Sequence, residues 1–253
     1  MNNDIKICAV IPVYNHGTTV GAVVGSLRAH GLLCVLVDDG SAAACATALD
    51  DLALADPDGV CLVRLAQNQG KGGAMMAGFD EAQRLGYTHA LQIDSDGQHD
   101  AGSIGEFLQL TAAHPGTIIC GCPIYDDSVP KSRLYGRYAT HIWVWINTLS
   151  FAVRDSMCGF RVYPLQSTIK LIHEVRIGRR MDFDTEILVR LVWRGVPVIN
   201  VPTRVRYPLD GISHFKLWED NLRISWMHTK LFFGMLLRLP MLLWRKLGAR
   251  SGI

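Results

Sequence analysis

The run Ile5-Lys6-Ile7-Cys8-Ala9-Val10-Ile11-Pro12-Val13-Tyr14 is apolar or β-branched almost throughout, and an amphipathic stretch over residues 18–29 follows it. A strand that lacks apolar–polar alternation is one buried on both faces. The same pairing recurs down the first half of the chain. Residues 32–37 read as a strand and 42–55 as a helix; residues 60–65 read as a strand and 71–85 as a helix opened by glycines. Two more short strands, 90–93 and 117–120, flank a helix over 104–113. Buried strands alternating with helices of this length predict an α/β fold, a mostly parallel sheet covered by helices on both faces.

The second half is less regular. Residues 132–153 are long and aromatic-rich, 184–193 read as a helix, 196–207 as strands, and the chain turns helical and very apolar from Phe215 onward. With no internal repeat or low-complexity linker, the reading is one domain over 1–215 with a C-terminal amphipathic appendage over 216–253.

Composition removes several classes. At 253 residues the chain has ample length to bury a core. Only 19% of residues are charged against 49% hydrophobic, which excludes a disordered chain. A net charge of +2 is too mild to make nucleic acid the main partner. The seven cysteines are scattered without a CxxC spacing, so neither a disulfide framework nor a structural zinc site is expected, and a reducing cytoplasm is the default. Met-Asn-Asn-Asp at the start lacks a basic segment followed by an apolar run, so no secretory signal is expected. No apolar run reaches the roughly 18 residues of a membrane span.

In parallel sheets ligands bind beyond the carboxyl ends of the strands, and the polar clusters fall there. Tyr14-Asn15 follows the first strand, Asp38-Asp39-Gly40-Ser41 the second, Asn68 to Lys71 the third, and Asp94 to Asp100 the fourth. Within the last, Asp94 and Asp96 stand two apart on a turn, where both can reach a hard divalent cation with Gln98 adding an oxygen. Alone, that run reads equally as an Asp-rich capping turn. Asp38 and Asp39 can hydrogen-bond a base or ribose, or simply make a β-to-α turn capped by Ser41. The loop Asn68-Gln69-Gly70-Lys71-Gly72-Gly73 leads into a helix, where backbone N–H groups and Lys71 can meet an anion. It lacks the spacing of a P-loop or of GxGxxG.

Taken together and in order, Ile11-Pro12-Val13-Tyr14-Asn15, Val37-Asp38-Asp39-Gly40-Ser41, Asn68-Gln69-Gly70-Lys71-Gly72 and Asp94-Ser95-Asp96-Gly97-Gln98-His99 resemble the family-two glycosyltransferases. The likeness covers roughly residues 5–215 and leans toward the dolichyl- and polyprenyl-phosphate sugar transferases. It implies a GT-A fold, a nucleotide-sugar donor, Mg²⁺ or Mn²⁺, and inversion at the anomeric carbon. By that resemblance Pro12, Tyr14 and Asp39 line the nucleotide pocket with Asp38 beside them, and Lys71 and Ser95 belong to the donor side. Asp94 lies near the ribose, and Asp94, Asp96 and Gln98 form the metal set. Cys158-Gly159-Phe160-Arg161 is similar to a Ser-Gly-Phe-Arg segment close to the acceptor, which puts Gly159, Phe160 and Arg161 on the acceptor side. Asp184 matches a family carboxylate that acts as general base toward an acceptor hydroxyl. It also reads as an N-terminal carboxylate stabilising its helix dipole, and a phosphate acceptor, already ionised, needs no base.

Some positions depart from that pattern. His16 replaces the usual Glu, and Gly121-Cys122-Pro123 replaces Gly-Ser-Arg, which removes one phosphate-binding arginine. Arg133 or Arg137 is the expected substitute. In Gly211-Ile212-Ser213-His214, His214 stands where a lysine is common, as a cation for the diphosphate.

Beyond the domain, the segment Leu231 to Trp244 is too short to span a membrane and carries Pro240. Arg223, Lys230, Arg238 and Arg245 fall within roughly 80° of one another on a helix. A basic stripe beside Leu, Phe and Trp reads as an interfacial helix on an anionic membrane surface; a helix packed on the core or on a second copy of the chain is the alternative. By the resemblance, together with this segment, the expected function is an inverting, metal-dependent transferase that works on a lipid-linked or amphiphilic acceptor of the cell-envelope glycolipid kind. Its expected place is cytoplasmic, peripheral to the inner face of the membrane, with the oligomeric state open. A nucleotidyltransferase releasing pyrophosphate, and a non-catalytic nucleotide-binding protein, are the competing classes.

Overall fold

In the computed structural model, which describes residues 5–124, 131–205 and 217–250, β1 (Ile7–Val13) lies between two cores. Successive strand residues face opposite sides. Cys8 and Val10 pack into one core with Val35 and Val37 of β2 (Cys34–Asp38), while Ala9, Ile11 and Val13 pack into the other with Leu36. That double burial is why these strands read as continuous apolar runs.

Among the described residues β1 and β2 join β3 (Val60–Arg64), β4 (His89–Gln92), β5 (Ile118–Ile124), β6 (Arg161–Pro164) and β7 (Val198–Arg204) in one seven-stranded sheet, ordered β3-β2-β1-β4-β6-β5-β7. Pairing is parallel except at β6, which runs antiparallel to both β4 and β5. One face carries α1 (Gly17–Arg28), α2 (Ala43–Ala55) and α4 (Ile104–Ala113), anchored by Val20, Leu27, Leu49 and Phe107. The other carries α3 (Lys71–Arg84), α6 (Leu165–Glu174) and α7 (Phe183–Trp193), anchored by Met75, Phe79, Ile169 and Ile187. α5 (Lys131–Thr148) and α8 (Leu217–Arg250) pack together beside this second core through Val144, Met227 and Leu231.

The expected α/β sheet is present, with two additions. Neither β6 nor α6 was expected. β6 is four residues long and begins with an arginine, so it carries no strand-like apolar run. The stretch 196–207 forms a strand, β7, through Arg204; residues 206 and 207 lie outside the described residues. So do Met1 to Asp4, the 215/216 boundary, and Gly211 to His214.

The C-terminal helix corrects a second expectation. Its basic stripe does not face outward as a whole. Arg245 Nη1 donates to the Trp193 carbonyl at 2.6 Å, the Arg238 guanidinium lies 4.8 Å from the Trp193 ring centre, and Lys230 Nζ is 3.8 Å from the buried Glu186. Arg223 pairs with Asp220 and Glu219 of its own helix. Tertiary contacts claim these cations because Trp193 and Glu186 of α7 lie under the stripe. The outward face is instead apolar: Trp218, Leu222, Trp226, Phe233, Leu237, Trp244 and Leu247 are all more than half exposed. At 100° per residue they occupy a sector roughly 100° wide, opposite the buried Met227, Leu231 and Met235. Trp143 of α5 meets Phe232 edge-on at 6.2 Å, and Tyr135, Tyr138, Ile142 and Ile146 continue the exposed apolar surface along α5. Among the described residues no helix is long and apolar enough to cross a membrane.

Candidate active site

The carboxyl ends of β1 to β4 are stapled to one another by the polar clusters that follow them. Asn15, at φ 58°, accepts the Ala42 N–H on Oδ1 at 2.8 Å, and its own N–H donates to Ser41 Oγ at 3.1 Å. Asp38 accepts the Ser41 N–H at 2.9 Å and approaches Arg64 Nε at 3.5 Å. Asp39 accepts the Gln69 N–H at 2.6 Å and the Gly70 N–H at 2.8 Å. Both aspartates are buried. They shape the turns between strands, at the same strand ends where the resemblance puts the nucleotide. Burial pushes the Asp39 carboxyl up, and the two N–H donors oppose that rise. Pro12 and Tyr14, both half-buried, stand at the end of β1.

Lys71 opens α3 and reaches the centre of the site. Its Nζ lies 2.7 Å from Asp94 Oδ1 and 2.8 Å from Asp184 Oδ2. Burial alone would lower the ammonium; Asp184 and Asp94 overcome it and hold Lys71 above the ordinary lysine range. Burial would likewise raise the Asp94 carboxyl, but Lys71 and His99 hold it well below the usual carboxylate range. Asp184, in the first turn of α7, also accepts from Gln92 Nε2 at 2.8 Å, and its carbonyl accepts from Arg161 Nη1 at 2.6 Å. A carboxylate engaged on both oxygens and nearly buried is well placed to hold Lys71.

After Asp94 the chain turns sharply. Ser95 is buried and its carbonyl accepts from Thr19 Oγ1 at 2.7 Å, which ties the turn to α1. Asp96 Oδ1 accepts the Gln98 N–H at 3.0 Å. Burial pushes the Asp96 carboxyl up, and the neighbouring Asp94 charge adds to it. Asp94, Asp96 and Gln98 line a cavity with Gly159, Pro123 and Arg137. A Cβ at Gly159 would collide with the Asp94 carboxylate, so a side chain there would displace Asp94 from its place on the cavity. Arg137 forms a two-pronged pair with Asp155, at 2.7 Å and 3.0 Å. Asp155 in turn accepts the Met157 and Cys158 N–H groups, both at 2.8 Å.

The acceptor-side expectation holds its place on the cavity only at Gly159. Phe160 is fully buried, stacked on Phe107 at 4.2 Å, and Arg161 is fully buried in β6. β6 is a central strand covered on both faces, so the Arg161 side chain lies inside, while Phe160, just before the strand, packs into the core with Phe107. His214 lies outside the described residues, as does the side chain of Arg133. Sequence reasoning missed Gln92, Asp155 and Arg180. Gln92 carried a signal, a lone amide inside the apolar run Ala90-Leu91-Gln92-Ile93, whereas Asp155 carried none.

No group of three or more His, Cys, Asp or Glu side chains able to hold a metal occurs among the described residues. Mg²⁺ and Mn²⁺ prefer hard oxygens and are commonly held by one or two carboxylates, with waters and substrate phosphates completing the shell. Asp96 and Gln98, with Asp94 alongside, fit that pattern. The mutual repulsion that raises Asp96 is the kind a bound cation relieves.

Solved structures share this arrangement of sheet and helices. Glucosyl-3-phosphoglycerate synthase from Mycobacterium tuberculosis, in complex with Mn²⁺, UDP-glucose and phosphoglyceric acid, superposes with a TM-score of 0.63 over 92% of this chain and 79% of that one, at 15% identity. The mannosyltransferase PcManGT from Pyrobaculum calidifontis, in complex with GDP-Man and Mn²⁺, gives 0.59 over 92% and 64%, at 14% identity. The fold is thus of the GT-A type. Residues 8–169 match glycosyl transferase family 2, and the chain belongs to that family. It is 28% identical over 233 residues to polyprenol monophosphomannose synthase of Mycolicibacterium smegmatis, covering 86% of this chain and 83% of that protein. It is also 24% identical over 220 residues to UDP-N-acetylglucosamine–dolichyl-phosphate N-acetylglucosaminyltransferase of Methanococcus voltae, covering 81% and 87%.

Proposed function

We propose that this chain is an inverting glycosyltransferase that moves a sugar from a nucleotide-sugar donor to a lipid-linked or amphiphilic acceptor at the cytoplasmic face of a membrane. The observation that carries the reading is the Asp94–Asp96 pair at the strand ends, sharing one cavity with Arg137. The nucleotide lies over the ends of β1 to β3, along Pro12, Tyr14 and the Asp39-pinned loop, with its diphosphate toward Asp96. There Asp96 and Gln98 would hold Mg²⁺ or Mn²⁺, which acts as a Lewis acid for the leaving diphosphate.

The acceptor oxygen attacks the anomeric carbon from the face opposite the diphosphate. A carbon–oxygen bond to the acceptor forms as the bond to the diphosphate breaks. The electron pair leaves with the nucleoside diphosphate, and the configuration inverts. Arg137 stands where it offsets negative charge brought by acceptor or donor. A phosphate acceptor, such as the dolichyl-phosphate in the name of the Methanococcus voltae relative, attacks without losing a proton. Asp184 then works as the holder of Lys71, which its engaged oxygens support.

The decisive first test is a thermal-shift series with UDP, GDP, CDP and dTDP, each with Mn²⁺ or with EDTA. A ligand at 100 times its Kd stabilises a fold by about 2.7 kcal/mol. The expected result is a rise in midpoint with one diphosphate, only with metal. Shifts with nucleoside triphosphates alone, and pyrophosphate as product, would favour a nucleotidyltransferase instead.

The membrane part of the proposal rests on the apolar outward face of α5 and α8, more than on basic charge. Large amphipathic aromatics at such a surface sit at the water–lipid boundary. Replacing Trp218, Trp226 and Trp244 together by Ser is expected to move the protein from vesicle-bound to free in co-sedimentation, with the unfolding midpoint little changed because these rings are mostly exposed. Retained vesicle binding would remove this surface from the proposal.

A further inference from the structure

Arg180 lies in the turn before α7, and its side chain crosses the Gly-rich loop at the ends of β2 and β3. Its Nη1 donates to Asn68 Oδ1 at 2.6 Å, and Asn68 Nδ2 donates to the Asp39 carbonyl at 3.1 Å. A Cβ on Gly70 would come within 2.5 Å of Arg180 Cδ, so the arginine stem occupies the space that a side chain at 70 would take. The turn is fastened to the loop at two further points. The Gly73 N–H donates to the Arg179 carbonyl at 3.1 Å, and Arg179 Nη1 donates to Gln69 Oε1 at 2.6 Å. The Arg180 guanidinium is thereby fixed beside Asp39, where it adds to the N–H donors that oppose the rise burial gives that carboxyl.

Arg180 is exposed. Among the described residues its guanidinium makes one hydrogen bond, the one to Asn68, out of the five N–H donors such a group carries. The Asp39 carboxylate lies buried beside it, engaged by the Gln69 and Gly70 N–H groups. Over the Gly-rich loop, at the ends of β2 and β3, the guanidinium therefore offers an exposed donor edge.

We propose that Arg180 is a specificity-determining residue of the donor site, selecting a nucleobase that presents a carbonyl where cytosine and adenine present an amino group. The proposal rests on the nucleotide-sugar reading above. A guanidinium has donors and no acceptor. The O4 of uracil, or the O6 and N7 of guanine, accepts from it. The amino group of cytosine or adenine sets donor against donor, and discrimination of this kind is a difference between one made and one unmade hydrogen bond.

The test is calorimetric titration of the full chain, in Mn²⁺, with UDP, GDP, CDP and ADP. Wild type is expected to bind UDP or GDP at least about 10-fold more tightly than CDP and ADP. Arg180→Ala is expected to lose about 10-fold for the preferred nucleotide and less than about 2-fold for CDP and ADP, so that the preference collapses. Arg180→Lys keeps the charge and a stem over Gly70 but not the planar fork, and is expected to lose part of the preference with an unchanged unfolding midpoint. Equal losses for all four nucleotides would put Arg180 on the ribose or phosphates and overturn the inference; so would no loss at all. If wild type itself binds none of the four, the donor reading falls and this inference with it, an outcome visible before any variant is made.

Discussion

Asp96→Ala is expected to reduce sugar transfer by a factor on the order of 10²–10³ or more while leaving the fold intact. Asp96 lines the cavity, and among the described residues its carboxylate accepts one hydrogen bond, from the Gln98 N–H at 3.0 Å. Its removal also relieves the repulsion from Asp94 that raises its own carboxyl, so stability should hold or rise slightly. The loss should fall on kcat with the leaving diphosphate, and Mn²⁺-dependent stabilisation by the cognate nucleoside diphosphate should disappear in a thermal-shift assay. A variant that keeps both transfer and the metal-dependent shift would take Asp96 out of the metal role. Asp96→Asn separates charge from shape: it retains the oxygen but not the negative charge, and it should recover only a small part of the activity.

Lys71→Met is expected to cost about 3 kcal/mol of stability, the lower end of what breaking a buried ion pair costs, because Asp94 stays about a quarter exposed. The substitution leaves Asp94 and Asp184 facing each other without the ammonium that lies 2.7 Å from one and 2.8 Å from the other. Urea unfolding in EDTA at pH 7 measures the loss. The pH dependence follows from the shifts. Asp94 is held below its ordinary value, so its contribution to wild-type stability is present above about pH 4 and is lost as pH falls toward its folded value. Lys71 is held above its ordinary value, so its contribution is complete at neutral pH and is lost only as pH rises through that higher value. Wild type should therefore lose stability in acid, and the gap between wild type and Lys71→Met should narrow there. A gap that stays constant from pH 7 to pH 3 would mean that the pair contributes nothing.

Much of the fold was legible because burial on both faces leaves a direct trace in composition. β1, β2 and β3 are apolar at nearly every position, and the helix over Ile104–Ala113 begins and ends where its sequence reads. β6 was not legible, because its first residue, Arg161, is a guanidinium held in the interior by the Asp184 carbonyl and the Tyr163 hydroxyl, at 2.6 Å and 3.3 Å. No rule of local hydrophobicity places an arginine at 0% exposure in a central strand.

The same division runs through the site. The sequence by itself determined that the polar clusters Asn15, Asp38-Asp39, Asn68–Lys71 and Asp94–Gln98 converge, since each follows an apolar strand and parallel strands end on one side. It also carried the family through those four motifs. Only the tertiary structure decided what each group touches. It turned Asp38 and Asp39 inward to pin turns, joined Lys71 to Asp94 and to Asp184, which lies 113 positions further on, and laid Arg180 over Gly70. It also turned three of the four C-terminal cations onto α7 and left the tryptophans outside. The physical reason is range: strand burial and turn chemistry act between neighbours in the chain, whereas the partner of a charge is set by packing between elements distant in sequence.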